Sequence, residues 1–213
     1  MQKIVSFGYD RSELPDHHLR GVKAVYKSNR AEILWTLDEI GRFEECAPEY
    51  VSRILIAATE TGLRPGDLWH LSTFHIRKTP QGRRIEITTA KKRRRAVIPV
   101  TERMGRLIDA TLIGRERLLT NSRGEVFATE NGLGDVVAKW RDNLKIRKVL
   151  RLYDARGTAA TRLLLAGAEI REIATAMGWS VKRANEVIEF YVAMHPDMTD
   201  QLLAKIESFE RNM

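Results

Sequence analysis

Apolar residues recur at helical spacing through most of the chain after residue 35. Thr36 is a predicted N-cap that forms a capping box with Glu39, just before the first apolar positions. A second helix is predicted over residues 48–61, with Gly62 as its C-terminal cap, and Pro65 starts a short third helix. Further helices are predicted at 101–112, 130–143, 155–166, 170–177, 181–191 and 199–211.

Three short runs rich in β-formers interrupt this helical pattern. They cover residues 74–77, 84–88 and 96–99, and turn residues at 80–82 and 91–95 separate them. The predicted fold class is therefore mainly α with a small three-stranded antiparallel β-sheet (α+β). Residues 1–34 have an irregular, polar pattern and are interpreted as an N-terminal arm or linker remnant, in which His17 and His18 lie in a solvated loop.

Composition narrows the function classes. Of 213 residues, 43% are hydrophobic, which is enough for a substantial core, and no apolar run is long enough to predict a membrane span or a secretory signal. The single cysteine, Cys46, cannot form an internal disulfide and fits a reducing, cytoplasmic location. The net charge of +8 favours a polyanionic partner such as DNA, RNA or an acidic membrane, although it is also compatible with simple solubility.

Two arginines in unusual settings are the first candidates for chemistry. Arg64 precedes Pro65 in a turn that Gly62 and Gly66 make rigid, and Arg156 heads the apolar stripe of a predicted helix. The guanidinium of Arg156 is expected to be partly buried and needs a partner, either an internal carboxylate (Asp67 or Asp154) or a ligand phosphate. Arg64 is either a surface arginine in a helix–helix turn or part of a phosphate clamp.

A run of five cations, 91–95, occupies a predicted hairpin tip. It is either a solvated turn or a contact to a polyanion backbone. Trp179 follows a predicted helix end, where it either packs or donates its indole N–H to a phosphate oxygen. Tyr191 falls at helical spacing after Ile188 and is either a core residue or a phenol that attacks a phosphate.

Taken in order, these motifs resemble the catalytic domain of the tyrosine recombinases, the phage integrase family. The resemblance covers roughly residues 33–198. It is carried by TGLRPGDL around Arg64, by TTAKKRRRAVIPV, and by YDARGTAATRLLLAGAEIREIATAMGWS from Tyr153 to Ser180, with Tyr191 at the position of the family's nucleophile.

The resemblance implies a DNA breaking-rejoining fold and a site-specific recombinase that forms a 3′-phosphotyrosyl intermediate without metal or cofactor. It makes Tyr191 the nucleophile, Lys91 the general acid, and Arg64 and Arg156 the phosphate clamp, with Trp179 and Tyr153 orienting the phosphate. The remaining cations of the run, Lys92, Arg93, Arg94 and Arg95, are predicted to bind DNA.

Two departures from the family pattern stand out. Tyr153 occupies a position where the family usually has histidine, and a phenol cannot act as an imidazole base. Residues 1–34 are also too short for the core-binding domain of a full integrase. The predicted organisation is an arm at 1–34, a catalytic domain at 35–198, and a C-terminal helix at 199–213 that could dock on a neighbouring protomer.

The implied partner is double-stranded DNA, bound by a tetramer that is monomeric without DNA. Two alternatives stay open at this point: a type IB topoisomerase, which shares the chemistry, and a non-catalytic DNA-binding protein that has kept the fold.

Overall fold

The structure is a computed structural model that describes residues 2–18, 20, 30, 32–111, 114, 116–192 and 198–211, without the side chains of residues 2, 190–192, 198–202 and 204–205. The helices in this part of the chain are α1 (Gln2–Asp10), α2 (Leu37–Cys46), α3 (Glu49–Thr61), α4 (Pro65–His70), α5 (Glu102–Asp109), α6 (Asn131–Asn143), α7 (Ala155–Leu165), α8 (Ile170–Met177), α9 (Val181–Val192) and α10 (Met198–Arg211). The strands are β1 (Ile76–Thr79), β2 (Gly82–Thr88) and β3 (Arg95–Pro99).

The predicted helix ends follow from the capping residues. The Thr36 hydroxyl accepts the Glu39 N–H at 3.2 Å, and the Glu39 carboxylate accepts the Thr36 N–H at 3.0 Å, so the capping box is present. Gly62 ends α3 in the left-handed region with φ of 61°. The prediction for α5 was too long, because its helix ends at Asp109, with Ala110 as its cap.

The sheet has the order β1-β2-β3 and is antiparallel throughout. Ile85 pairs with Ile76 on one side and Ile98 on the other, so a single apolar row faces the core. The first strand begins two residues later than predicted, because Thr73–His75 form a 3-10 turn in which His75 Nδ1 accepts the Ser72 N–H at 3.1 Å. The predicted fold class is confirmed.

Buried apolar side chains form two clusters. The larger one joins α2, α3, α4, the sheet, α5 and α6, and it includes Phe43, Leu55 and Leu68. The smaller one joins α7, α8 and α9, and it includes Ile173 and Met177. Helix α7 contributes to both clusters, so its first turn lies where they meet.

The interpretation of residues 1–34 as irregular is wrong for Gln2–Asp10, which form α1. His17 is also not solvated: it is 7% exposed, its Nε2 lies 2.8 Å from the Ser6 hydroxyl, and its ring packs edge-on against Tyr9. His18 is exposed, as expected, and lies 3.2 Å from Asp16. Among the described residues, no group of three potential ligands surrounds a metal position.

None of the helices described here combines the length and the apolar character that crossing a membrane would require.

Candidate functional site: a cationic cavity around Arg156

A cavity of about 680 Å³ opens where the two apolar clusters meet. Its wall is formed by the N-cap of α4, the β2–β3 loop, the start of α7 and the junction between α8 and α9. Among the described residues, the cationic side chains that line it are Arg30, Arg64, Lys92, Arg94, Arg156, Lys182 and Arg183. Only two carboxylates in that part of the chain line it, Asp154 and Glu186, so the cavity is strongly cationic and suits an anion.

Arg156 is held by the ends of two helices. Its Nη1 donates to the carbonyl of Gly62, just after α3, and its Nη2 donates to the carbonyl of Met177 at 2.6 Å, the last residue of α8. Carbonyls at helix C-termini lack intrahelical partners and carry partial negative charge, so they attract a cation. Neither aspartate considered from the sequence is a hydrogen-bond partner of Arg156, because Asp154 pairs with Arg30 and Asp67 accepts from Ala90.

Gly62 and Gly178, which lie at these two helix ends, have backbone torsions and close neighbours that disfavour any residue with a Cβ. Gly62 has φ of 61°, and a Cβ there would lie 2.7 Å from the side chain of Met177. Gly178 has φ of 59°, and a Cβ there would lie 3.2 Å from the Thr89 side chain. L-residues rarely adopt these torsions, so both glycines let the helix ends approach Arg156 and the sheet.

Burial of the guanidinium and, after it, the like charge of Arg64 together lower the pKa of Arg156 to about 10. Arg156 is only 5% exposed. A charged group whose pKa falls in this way is short of negative charge, and a bound phosphate would supply it. Arg64 and Arg156 line the same cavity.

Arg64 is the N-cap of α4 and contributes no side-chain cap. Its Nη1 lies 3.9 Å from Asp67 Oδ2, too far for a hydrogen bond, and both atoms are buried without a hydrogen-bond partner among the described residues. A buried donor without a partner is costly, and such a donor beside an open cavity is typical of a ligand site.

The cationic β2–β3 loop is fixed at its base and exposed at its tip. Asp67 Oδ1 accepts the Ala90 N–H at 2.8 Å, and Thr89 exchanges backbone hydrogen bonds with Arg94 and Arg93 across the loop. Lys92 and Arg94 line the cavity, whereas Lys91, the residue expected to be the general acid, does not.

The other two cations of the run also lie outside the cavity wall. Arg93 is an exposed residue with φ of 52°, and Arg95 pairs with Glu86 at 2.6 Å on the outer face of the sheet. The assignment of a DNA-binding role to Lys92, Arg93, Arg94 and Arg95 stays a prediction.

Tyr153 and Trp179 are both in the cavity wall. Tyr153 is 52% exposed. The Trp179 ring lies against Arg156, whose guanidinium carbon is 5.0 Å from the ring centroid, a cation–π distance. These positions agree with the orienting roles expected for the two residues, which stay predictions.

Tyr191 is in the last turn of α9, but its side chain lies outside the described residues. Arg183 and Val187, which line the cavity, precede it on the same helix at intervals of four. In an α-helix that interval places residues on one face, with about 6 Å of rise per step. The backbone position of Tyr191 is thus one turn beyond the cavity wall, and its role as nucleophile stays a prediction.

The sequence analysis missed three cations of the wall. Lys182 and Arg183 are in the first turn of α9, where the helix dipole disfavours positive charge, and that placement was an available signal for an anion site. The Ser180 hydroxyl accepts the Arg183 N–H at 3.2 Å and caps this helix. Arg30 reaches the cavity through a partner 124 residues away, for which the sequence carries no local signal.

Comparisons with known proteins give a consistent assignment. The family model described as the phage integrase family matches residues 26–195. The fold is similar to lambda integrase in a dimer bound to a COC′ core site, with a TM-score of 0.70 and 16% identity over 87% of this chain and 57% of that one.

Two further solved structures share the fold. XerA recombinase has a TM-score of 0.58 and 20% identity over 92% of this chain and 74% of that one. A lambda integrase tetramer bound to a Holliday junction has a TM-score of 0.66 and 15% identity over 84% of this chain and 57% of that one. No curated protein sequence matches the chain. At these identities the structures establish the fold alone, and the chain spans 57% of the length of the first integrase.

Proposed function

Because the chain belongs to the phage integrase family, we propose that it is a tyrosine-type site-specific recombinase that cleaves and rejoins DNA through a 3′-phosphotyrosyl intermediate. The observation that carries the proposal is the convergence of Arg64 and Arg156 on one cationic cavity, although 92 positions (156 − 64) separate them in the sequence. The lambda integrase structures, whose proteins are bound to a core site and to a Holliday junction, support double-stranded DNA as the substrate.

In the proposed reaction the Tyr191 oxygen attacks the scissile phosphorus and loses its proton to water. The bond from phosphorus to the 5′-oxygen breaks as the bond to the phenolic oxygen forms, and the leaving oxygen takes a proton from a lysine. Arg64 and Arg156 stabilise the charge that builds on the non-bridging oxygens. The phosphotyrosyl bond conserves the energy of the original diester, so that a second 5′-hydroxyl can reverse the step.

The general acid is a lysine of the β2–β3 loop. The resemblance assigns it to Lys91, whereas the cavity wall favours Lys92. A substrate with sulfur in the 5′-bridging position separates them, since a thiolate leaves without a proton. The alanine variant of the true acid should cleave the sulfur substrate at nearly the wild-type rate and the oxygen substrate at least about a hundredfold more slowly.

The central test is covalent capture on a nicked duplex that loses a short fragment after cleavage. Wild type should form a protein–DNA adduct, and Tyr191→Phe should form none while binding the duplex with wild-type affinity. If wild type gives no adduct on any nicked duplex tested, a non-catalytic DNA-binding protein becomes the better assignment. Relaxation of a plasmid that lacks paired sites would instead favour a topoisomerase.

We also propose that the assembly on DNA is a tetramer and that α10 docks on a neighbouring protomer. Leu203, Ile206 and Phe209 are exposed on this helix, at 59%, 44% and 66%, and recur at its helical spacing. Phe209→Ser should leave the thermal stability of the isolated chain unchanged and reduce the formation of paired complexes in a gel-shift assay. An unchanged yield of paired complexes would contradict this docking.

A further inference from the structure

Arg30 precedes α2 in the sequence and joins this part of the chain to the wall of the cavity. Its Nε and Nη2 donate to the two carboxylate oxygens of Asp154 at 3.1 and 2.5 Å, and Nη2 also donates to the carbonyl of Val149 at 2.8 Å. The side chain of Asp154 is 1% exposed and that of Arg30 is 23% exposed. This two-point contact is the strong geometry for an arginine and a carboxylate.

A carboxylate is out of place in the wall of a cavity built for an anion. Asp154 lies next to Tyr153 and two residues before Arg156, and it lines the same cavity. It has a structural task, since its Oδ2 accepts the Arg151 N–H at 2.7 Å and fixes the turn that leads into α7. Its negative charge would nevertheless repel a phosphate, and burial prevents water from screening that repulsion.

We propose that Arg30 is a positioning residue of this site, one that cancels the charge of Asp154 and thereby lets the cavity bind a phosphate diester. The proposal rests on the proposed function only in taking DNA as the ligand. The claim itself concerns phosphate affinity, and it holds for any phosphate that enters the cavity.

Other contacts hold the same segment, so the effect of Arg30 on charge can be separated from its effect on position. The Trp35 N–H donates to the Thr158 hydroxyl at 2.9 Å, and the Trp35 indole donates to the carbonyl of Arg151 at 3.0 Å. Both contacts join the segment to the turn and helix that carry Asp154, and neither involves Arg30. An Arg30 variant should therefore keep this segment in place and expose the charge of Asp154.

The experiment compares Arg30→Ala, Asp154→Asn and the double variant. The probes are inorganic phosphate, followed by thermal shift, and a 20-base-pair duplex, followed by fluorescence anisotropy at one fixed ionic strength. Arg30→Ala should bind both probes about tenfold more weakly, as expected for one uncompensated charge in a partly buried site. The double variant has no charge at either position and should return to within about threefold of wild type.

Arg147→Ala is the matched control. Arg147 also holds this segment, with Nη2 donating to the carbonyl of Leu34 at 2.6 Å and Nε to Glu39 at 2.5 Å, and its removal changes the net charge by the same amount. Neither Arg147 nor Glu39 lines the cavity. We expect binding within about twofold of wild type, because this charge is exposed and screened.

Two results would overturn the proposal. If the double variant binds as weakly as Arg30→Ala, Arg30 contacts the phosphate itself instead of cancelling a charge. If Arg30→Ala lowers the unfolding temperature without changing affinity, its role is structural only. Arg30→Gln, which removes the charge and keeps a donor, gives the same comparison if the alanine variant is too unstable to assay.

The proposed function fails or holds independently of this comparison. Covalent adduct formation by wild type tests the enzyme, whereas phosphate binding by the variants tests Arg30. A wild-type chain that binds phosphate and never forms an adduct would reject the recombinase and leave the comparison of the Arg30 variants intact.

Discussion

Arg156→Lys should lower both the free energy of unfolding and the affinity for DNA, whereas Arg64→Lys should lower only the affinity for DNA. Arg156 donates to two carbonyls at once, Gly62 and Met177, and it is almost fully buried. A lysine ammonium keeps the charge but reaches only one of the two, so one buried carbonyl loses its partner. Arg64 has no such bond to lose at its Nη1 atom.

The expected size follows from that difference. A hydrogen bond from a charged donor contributes about 1.5–3 kcal/mol, so Arg156→Lys should lower the free energy of unfolding by about 2–3 kcal/mol. For a chain of this size the melting temperature falls by about 2–4 °C per kcal/mol, so the expected fall is about 4–12 °C. Arg64→Lys should stay within about 1 kcal/mol of wild type.

Urea unfolding and thermal melting of the two variants, without DNA, measure these values directly. Duplex binding measured in parallel should fall by at least about tenfold for both variants, since neither lysine keeps the two-pronged grip on a phosphate. Equal losses of stability in the two variants, or a fully stable Arg156→Lys, would refute the argument that helix-end carbonyls hold Arg156.

Three further outcomes can be measured on the same protein. Gly178→Ala should destabilise the chain by about 1–2 kcal/mol in urea, because its φ of 59° is strained for alanine and Thr89 lies close; Gly134→Ala, at an open position within α6, should instead stabilise it by about 0.5–1 kcal/mol. Asp67→Ala removes the acceptor of a loop N–H and should speed the first tryptic cut within residues 91–95 severalfold, as read by mass spectrometry; an unchanged cutting rate would show that the loop base is held without it. Phosphate affinity should be constant up to about pH 9 and fall as the pH rises through 10, because the pKa of Arg156 is lowered to about 10 and only its protonated form binds the anion; a thermal shift by phosphate that stays constant from pH 8 to pH 11 would contradict this.

The sequence was sufficient for most helices because their ends are marked by local chemistry. The capping box at Thr36 and the glycine at position 62 set the limits of α2 and α3, and both signals act within a few residues. Helix α1 was missed because the sequence offered no comparable mark at its ends. Its apolar side chains Ile4 and Phe7 are still 75% and 55% exposed in the structure, so little burial accompanies the helix.

The features of the site that could not be predicted from the sequence are contacts between residues that are far apart in the chain. The motif order pointed to Arg64 and Arg156, but not to the carbonyls that hold Arg156, which lie 94 and 21 residues away. The resemblance assigns the general acid to Lys91, whereas the lysine of this loop that lines the cavity is Lys92. Loop conformation and long-range pairing decide such details, and neither is encoded in spacing.

Arg156 is hydrogen-bonded to the ends of both α3 and α8, and this has a consequence for copies of the chain that are incompletely folded. Both carbonyls reach Arg156 only after the two helices have docked on α7, so a nascent or proteolytically clipped copy would present a guanidinium that nothing orients. The cationic cavity is therefore a product of completed tertiary packing, and anion binding by this chain should be lost together with the docking of either helix.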